Sequence, residues 1–133
     1  MKKNGILNAE LSYIIASMGH SDKLVITDCG LPIPKGVPKV DLALKKNLPG
    51  FIETVKTILN ELVVEYAIIS EELQIENPKN YQKLMELLKE INVKKVKHEE
   101  FKKLIKESNV SFVRTGEATP YSNIILVSGV DFA

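Results

Sequence analysis

Cysteine is almost missing from this chain, and so is any excess of charge. Cys29 stands alone, which excludes a disulfide framework and a cysteine-rich zinc site. Lys and Arg total 18 against 17 Asp and Glu, a net charge of +1. A nucleic-acid binder led by phosphate attraction is disfavoured on that balance. No apolar run approaches about 18 residues, so no membrane-spanning helix is expected. The opening MKKNGILNAELSYIIASMGHSD has two lysines but no long apolar core with a small-residue cleavage site, and it reads as mature structure. Neither GxxxxGK[ST] nor GxGxxG occurs, and no HxH or HExxH spacing, so neither a nucleotide cofactor nor a metal is expected. Repeats and low-complexity segments are also missing. The expectation is a cytoplasmic protein that neither enters a membrane nor binds nucleic acid.

What is present fits one domain over residues 1–133, since domains most often hold about 100–150 residues. Apolar residues make up 44% and charged residues 26%, close to the soluble average. Helix-like and strand-like stretches alternate. Asn8 caps a helix whose Leu11, Ile14, Ile15 and Met18 share one face, and Gly19 stands where a left-handed C-terminal cap belongs. Leu24–Thr27 reads as a buried strand. Pro32, Pro34 and Pro38 predict an extended loop over CGLPIPKGVPKV. Residues 51–62 return to helical spacing, and Val63–Ile69 is a strand. Asn77-Pro78 starts a helix with a stripe of Tyr81, Leu84, Met85, Leu88 and Ile91. Val93–Val96 reads as a short strand with solvent-facing lysines, Phe101, Leu104 and Ile105 mark a helix, and Val110–Val113 and Ile124–Val127 are strands. The order predicts an α/β three-layer sandwich, a largely parallel central sheet flanked by helices. Ligands of such sheets bind beyond the carboxyl ends of the strands, which directs attention to Asp28 and to the residues after Val113.

Only two histidines are present, His20 and His98. An imidazole near its reference pKa of about 6.5 suits proton transfer near neutral pH. His20 equally suits a capping or surface position near a helix end, and His98 the residue before an exposed helix. Asp28 closes a strand, where a carboxylate can accept hydrogen bonds from ligand hydroxyls or simply start a turn. A lone cysteine is more often a small buried hydrophobe than a nucleophile. Glu71 and Glu72 offer acid–base groups or a helix start favoured by the dipole. In RTGEATPYSN, Tyr121 supplies a flat apolar face and a hydroxyl, and Asn123 a donor and an acceptor together. That mixture suits a neutral polyhydroxylated ligand such as a sugar, as well as a plain turn.

Taken in order, GHSD at 19–22, DCGLPIP at 28–34, AIISEEL at 67–73, HEEFK at 98–102 and RTGEATPYSNIILVSGVDF at 114–132 resemble the D-ribose pyranase family over nearly the whole chain. Gly30–Pro34 favours that branch over the related L-fucose mutarotases. Cys29 departs from the alanine usual in the family, which weakens a nucleophile role, and Ser21 stands where threonine is frequent. The resemblance implies interconversion of β-D-ribopyranose and β-D-ribofuranose, with D-ribose as ligand and no cofactor. It implies His20 as the catalytic proton donor, and Asp28, His98, Tyr121, Ser122 and Asn123 as the residues holding the sugar. It also implies a homodecamer of two stacked five-membered rings with sites between neighbouring subunits. A fucose-type mutarotase and a non-catalytic ribose-binding accessory of a transporter are the competing readings.

Overall fold

The computed structural model of the chain describes residues 1–132. Among them, six strands form one sheet: β1 (Lys23–Thr27), β2 (Lys39–Asp41), β3 (Val64–Ser70), β4 (Asn92–Val96), β5 (Val110–Arg114) and β6 (Ile124–Ser128). Their order is β2-β5-β1-β6-β3-β4. β1 pairs parallel with β5, β2 with β5, and β3 with β4, while β6 runs antiparallel to both β1 and β3. Five strands therefore point one way and β6 alone the other, the largely parallel sheet expected.

Helices cover both faces. α1 (Ala9–Ser17), α2 (Phe51–Leu59), α3 (Glu71–Glu76) and α4 (Pro78–Leu87) pack on one side, and α5 (His98–Leu104) on the other with Leu31, Ile33 and Val37 of the proline-rich loop. Successive strand residues point to opposite faces. Leu24 and Ile26 join the first core while Val25 joins the second; Ile124 and Leu126 are separated from Ile125 and Val127 in the same way. The central strands β1 and β6 are apolar over residues 24–26 and 124–127 because neither face meets water there. Both edges carry charge and one is short, which disfavours strand addition. β2 has three residues, held by the Asp41–Arg114 pair at 2.9 Å. β4 presents exposed Lys94 and Lys95, whose ammonium groups sit over the rings of Tyr66 and Tyr81.

Local signals decide several element ends. The Asn8 side chain accepts from Leu11 N–H at 2.9 Å, capping α1 as expected. Asn77 caps α4, with Pro78 at its first position. Two readings need correction. Gly19 is not the left-handed residue after α1; the chain leaves that helix extended at Met18, and the positive φ falls on Ser21 at 74°. Lys39 and Val40 belong to β2, because the loop's last residues find the free edge of β5. Glu71–Glu76 forms a six-residue helix, too short to show a period.

The reversed direction of β6 positions everything that follows. Residues 115–123 precede it, so they lie at the carboxyl ends of β1, β3 and β5. Its own far end, by contrast, returns to the sheet's amino side, where Ser128 O accepts from Ser21 N–H and Gly129 N–H donates to Val63 O, both at 2.9 Å. Gly116 is buried where this loop crosses the 45–49 turn, and an added Cβ would lie 2.7 Å from both the nitrogen and the oxygen of Leu48. Backbone cannot yield as a side-chain tip does. Gly116→Ala should lower unfolding free energy by at least about 1–3 kcal/mol, measured by chemical denaturation; an unchanged midpoint would refute the tight crossing.

Candidate active site

Asp28 follows β1 directly, and its carboxylate is fully oriented. Oδ1 accepts the N–H groups of Gly30 and Leu31 at 3.0 and 2.9 Å, a turn that Asp28 closes on itself before Pro32. Oδ2 accepts from Asn123 Nδ2 at 3.2 Å, and Asn123 Oδ1 in return accepts Asp28 N–H at 2.9 Å. Asn123 is 1% exposed. Most of its carboxamide is thus committed to aiming Asp28, and it contributes to the cleft mainly through that carboxylate.

The loop opposite is held by a buried polar network. Asn77 Nδ2 donates to Thr119 Oγ1 and Pro120 O at 2.9 Å and to Ser122 Oγ at 3.1 Å. Asn80 Nδ2 donates to Thr119 Oγ1 at 3.1 Å and Ser122 Oγ at 3.0 Å. The Thr119 hydroxyl donates to Glu117 Oε2 at 2.6 Å. Glu117 Oε1 accepts Phe51 N–H at 2.9 Å, supplying the start of α2 with the cap that Gly50 lacks. A carboxylate there also meets the positive end of the helix dipole. Ser122 is fully buried with its hydroxyl inside this network, and it supports the cleft from beneath without lining it. Tyr121 sits at φ 58°, a conformation unusual for a bulky residue, and the network holds it there.

His98 opens α5 rather than preceding it. Both carboxylate oxygens of Glu72 accept its main-chain N–H, at 3.0 and 3.1 Å, and the Ser70 hydroxyl lies 3.0 Å from Nδ1. Its ring meets Tyr121 edge-on with centroids 5.0 Å apart. Glu71 instead pairs with Lys97 at 2.9 Å, and its hydrogen bond and charge push that ammonium above its usual pKa. The acidic pair is therefore structural.

Asp28, His98, Tyr121 and Asn123 line one open cleft of about 560 Å³, with Glu117 and Lys102 beside them. That size suits a small ligand. Leu31, Pro32 and Pro120 give it apolar walls. Cys29 is exposed on its rim rather than buried. His20 is elsewhere. It sits on the Gly19–Asp22 turn, where the Asp22 carboxylate ties back Gly19 N–H at 2.8 Å. Its side chain is 54% exposed, with Nε2 3.3 Å from Glu65 Oε2. Glu65 lies in the first residues of β3 and Asp28 just past the end of β1, and these strands point the same way. The five residues of β1, at about 3.3 Å each, put His20 and Asp28 at opposite ends of the sheet. Within one chain the structure gathers four of the six expected residues, sets Ser122 just beneath them, and leaves His20 apart.

Lys102, Glu117, Ser70 and the two asparagines were not anticipated as site residues. Lys102 stands four residues after His98 and hence on the same helix face, a spacing legible in HEEFK. The roles of Asn77 and Asn80 depend on partners 39–45 residues away, which no local pattern reveals.

A family model described as the RbsD / FucU transport protein family matches residues 1–131. The chain belongs to that family. The D-ribose pyranase of Petrotoga mobilis is 54% identical over 132 residues, covering 99% of this chain and 100% of that protein. Among solved structures, RbsD of Bacillus subtilis complexed with D-ribose superposes with a TM-score of 0.93 at 47% identity, covering 99% of this chain and 100% of that one. FucU from Bifidobacterium longum has a TM-score of 0.80 at 25% identity, covering 95% and 97%. The RbsD / FucU fold is thus the fold of this chain, and its sequence lies nearer the first of these two structures than the second.

Breaking the asparagine network should loosen the Thr119–Asn123 loop. Asn77→Ala leaves buried acceptors and donors unpaired, at a cost of about 1–3 kcal/mol. Denaturation should register the loss and amide hydrogen exchange at Ser122 and Asn123 should accelerate; unaltered exchange there would show that something else anchors the loop.

Proposed function

We propose that this protein is a D-ribose pyranase, an isomerase interconverting β-D-ribopyranose and β-D-ribofuranose. The observation that carries the reading is the cleft of Asp28, His98 and Tyr121 in a chain 54% identical, over 99% of its length, to a D-ribose pyranase. The reading treats residues 1–133 as one sugar-converting domain acting in the cytoplasm; no helix among the described residues is long and apolar enough to cross a membrane.

The chemistry is ring opening and reclosure. The anomeric hydroxyl loses a proton as C1 becomes a carbonyl, the bond from C1 to the ring oxygen breaks, and that oxygen takes a proton. The open chain rotates. The C4 hydroxyl then attacks C1 and gives up its proton, while the carbonyl oxygen takes one back. Atoms and electrons balance without an oxidant, a reductant or a hydride carrier. Asp28, its carboxylate aimed by Asn123, accepts hydrogen bonds from sugar hydroxyls. His98 and Tyr121 fix the sugar's orientation, while Ser122 and Asn123 hold the seat in shape through the buried network and the Asp28 carboxylate. His20, as imidazolium, donates to the ring oxygen, a role typically worth about 10²–10⁴-fold.

His20 reaches the sugar only from a neighbouring copy. The Gly19–Asp22 turn projects from one end of the sheet and the cleft opens at the other, so copies stacked end to end bring the two together. Such head-to-tail contacts close into rings when the rotation permits. Two five-membered rings, ten subunits in all, are the assembly this reading adopts. Glu65 travels with His20 and orients its ring. The family's description as transport proteins supports a second reading, a ribose-binding accessory without catalysis. Binding without accelerated exchange would select it.

Saturation-transfer NMR of ribose pyranose–furanose exchange tests the assignment. His20→Ala should abolish acceleration and leave ribose binding largely intact; undiminished exchange would remove His20 from the mechanism. Mixing His20→Ala with Asp28→Ala chains through unfolding and refolding should restore about a quarter of the sites if each is shared between two subunits. Persistent inactivity of the mixture, with both variants assembled, would place the two residues in a single-chain site instead.

A further inference from the structure

The fold treats the two nitrogens of His98 differently. Nδ1 lies 3.0 Å from the Ser70 hydroxyl. Nε2 makes no hydrogen bond among the described residues and is not sealed off from solvent, and His98 is a wall of the cleft. Ser70 ends β3 and is fully buried. Its hydroxyl has one proton to donate and lone pairs to offer, and Nδ1 is its partner.

Two arrangements of a neutral ring satisfy that distance. If Nδ1–H donated to Ser70, the hydroxyl proton would be left in the interior without an acceptor, and a buried, unpaired donor carries its whole desolvation penalty. If Ser70 donates to a bare Nδ1, the hydroxyl proton and the ring lone pair are both satisfied. The second arrangement wins. We infer that Ser70 is a positioning residue that holds His98 as the Nε2–H tautomer, so that the ring presents a hydrogen-bond donor to the cleft.

The ring's placement is already over-determined. Glu72, two residues after Ser70, holds the His98 main-chain N–H with both oxygens. Phe101 stacks on one face with centroids 6.2 Å apart and planes inclined by 12°, and Tyr121 meets the ring edge-on. With position and plane fixed, the tautomer is the freedom left, and Ser70 removes it. Donation to a sugar oxygen rests on the ribose reading of the cleft, whereas the tautomer itself does not. In that reading Asp28 accepts, His98 donates, and a hydroxyl bridging the two is bound in one orientation.

Long-range proton–nitrogen correlation spectra of the full-length, uniformly ¹⁵N-labelled protein test this directly, recorded above the ordinary histidine range of about 6.5. Two histidines are present, so a His20→Gln sample leaves the signals of His98 alone. The expected pattern is a protonated Nε2 and a bare Nδ1 with the shift of a hydrogen-bond acceptor. In Ser70→Ala, Nδ1 should move to the position of an unbonded lone pair. With His20 intact, the same substitution should lower kcat/KM for ribose exchange roughly three- to tenfold, the worth of one ordinary hydrogen bond. A wild-type ring protonated at Nδ1, or an Nδ1 signal unmoved by Ser70→Ala, overturns the inference whatever the activity. An Nε2–H ring in a protein that does not accelerate exchange counts against the ribose reading and leaves the tautomer standing.

Discussion

Asn123 and Asp28 exchange two hydrogen bonds across 95 residues of sequence. Each link depends on β6 running against its neighbours, because only then does the residue before β6 face the residue after β1. The carboxamide is nearly free of solvent, so its bonds to Asp28 act in a low-dielectric setting where an unmade bond is costly. From that clamp the rest of the cleft follows in steps. Asp28 shapes the Gly30–Leu31 turn, Ser122 is drawn into the asparagine network, and Tyr121 is left in a left-handed conformation between two fixed points.

The network beneath the loop shows how a helix cap can serve two structures at once. Asn77 Oδ1 accepts from Asn80 N–H at the start of α4, while its Nδ2 reaches the Thr119–Ser122 loop. Glu117 does the reverse, leaving the loop to cap α2. Two helix starts and one ligand-facing loop therefore share a single set of hydrogen bonds. Such a network is stable only when every member is paired, and the loop inherits the rigidity of the helices that flank it.

Much of this was legible in the sequence. The Asn8 and Asn77-Pro78 caps mark their helices by chemistry that acts within three or four residues. The apolar runs of β1 and β6 mark central strands because both faces are covered. Signals failed where structure depends on distant partners or where elements are too short for a period. β2 forms only because β5 offers an edge, and α3 spans six residues. His20 and Asp28 stand only eight residues apart in sequence, yet the strand between them carries them to opposite ends of the sheet. The kind of sugar was not legible from residue chemistry alone. Tyr121, Asp28 and Asn123 indicate a polyhydroxylated ligand, and the pentose enters through the likeness to D-ribose pyranases.

That separation has a consequence for the newly made chain. Both edge strands of the sheet carry charge, which disfavours joining copies by extending it; the histidine turn and the cleft are displayed at its two ends. Under the proposed mechanism a solitary polypeptide holds the parts for gripping a pentose and, at its far pole, an acid it can never apply to its own cargo. On that reading turnover would belong to an assembly and not to any one chain in it, and a cell making too little of this protein would possess a sugar sponge before it possessed an enzyme.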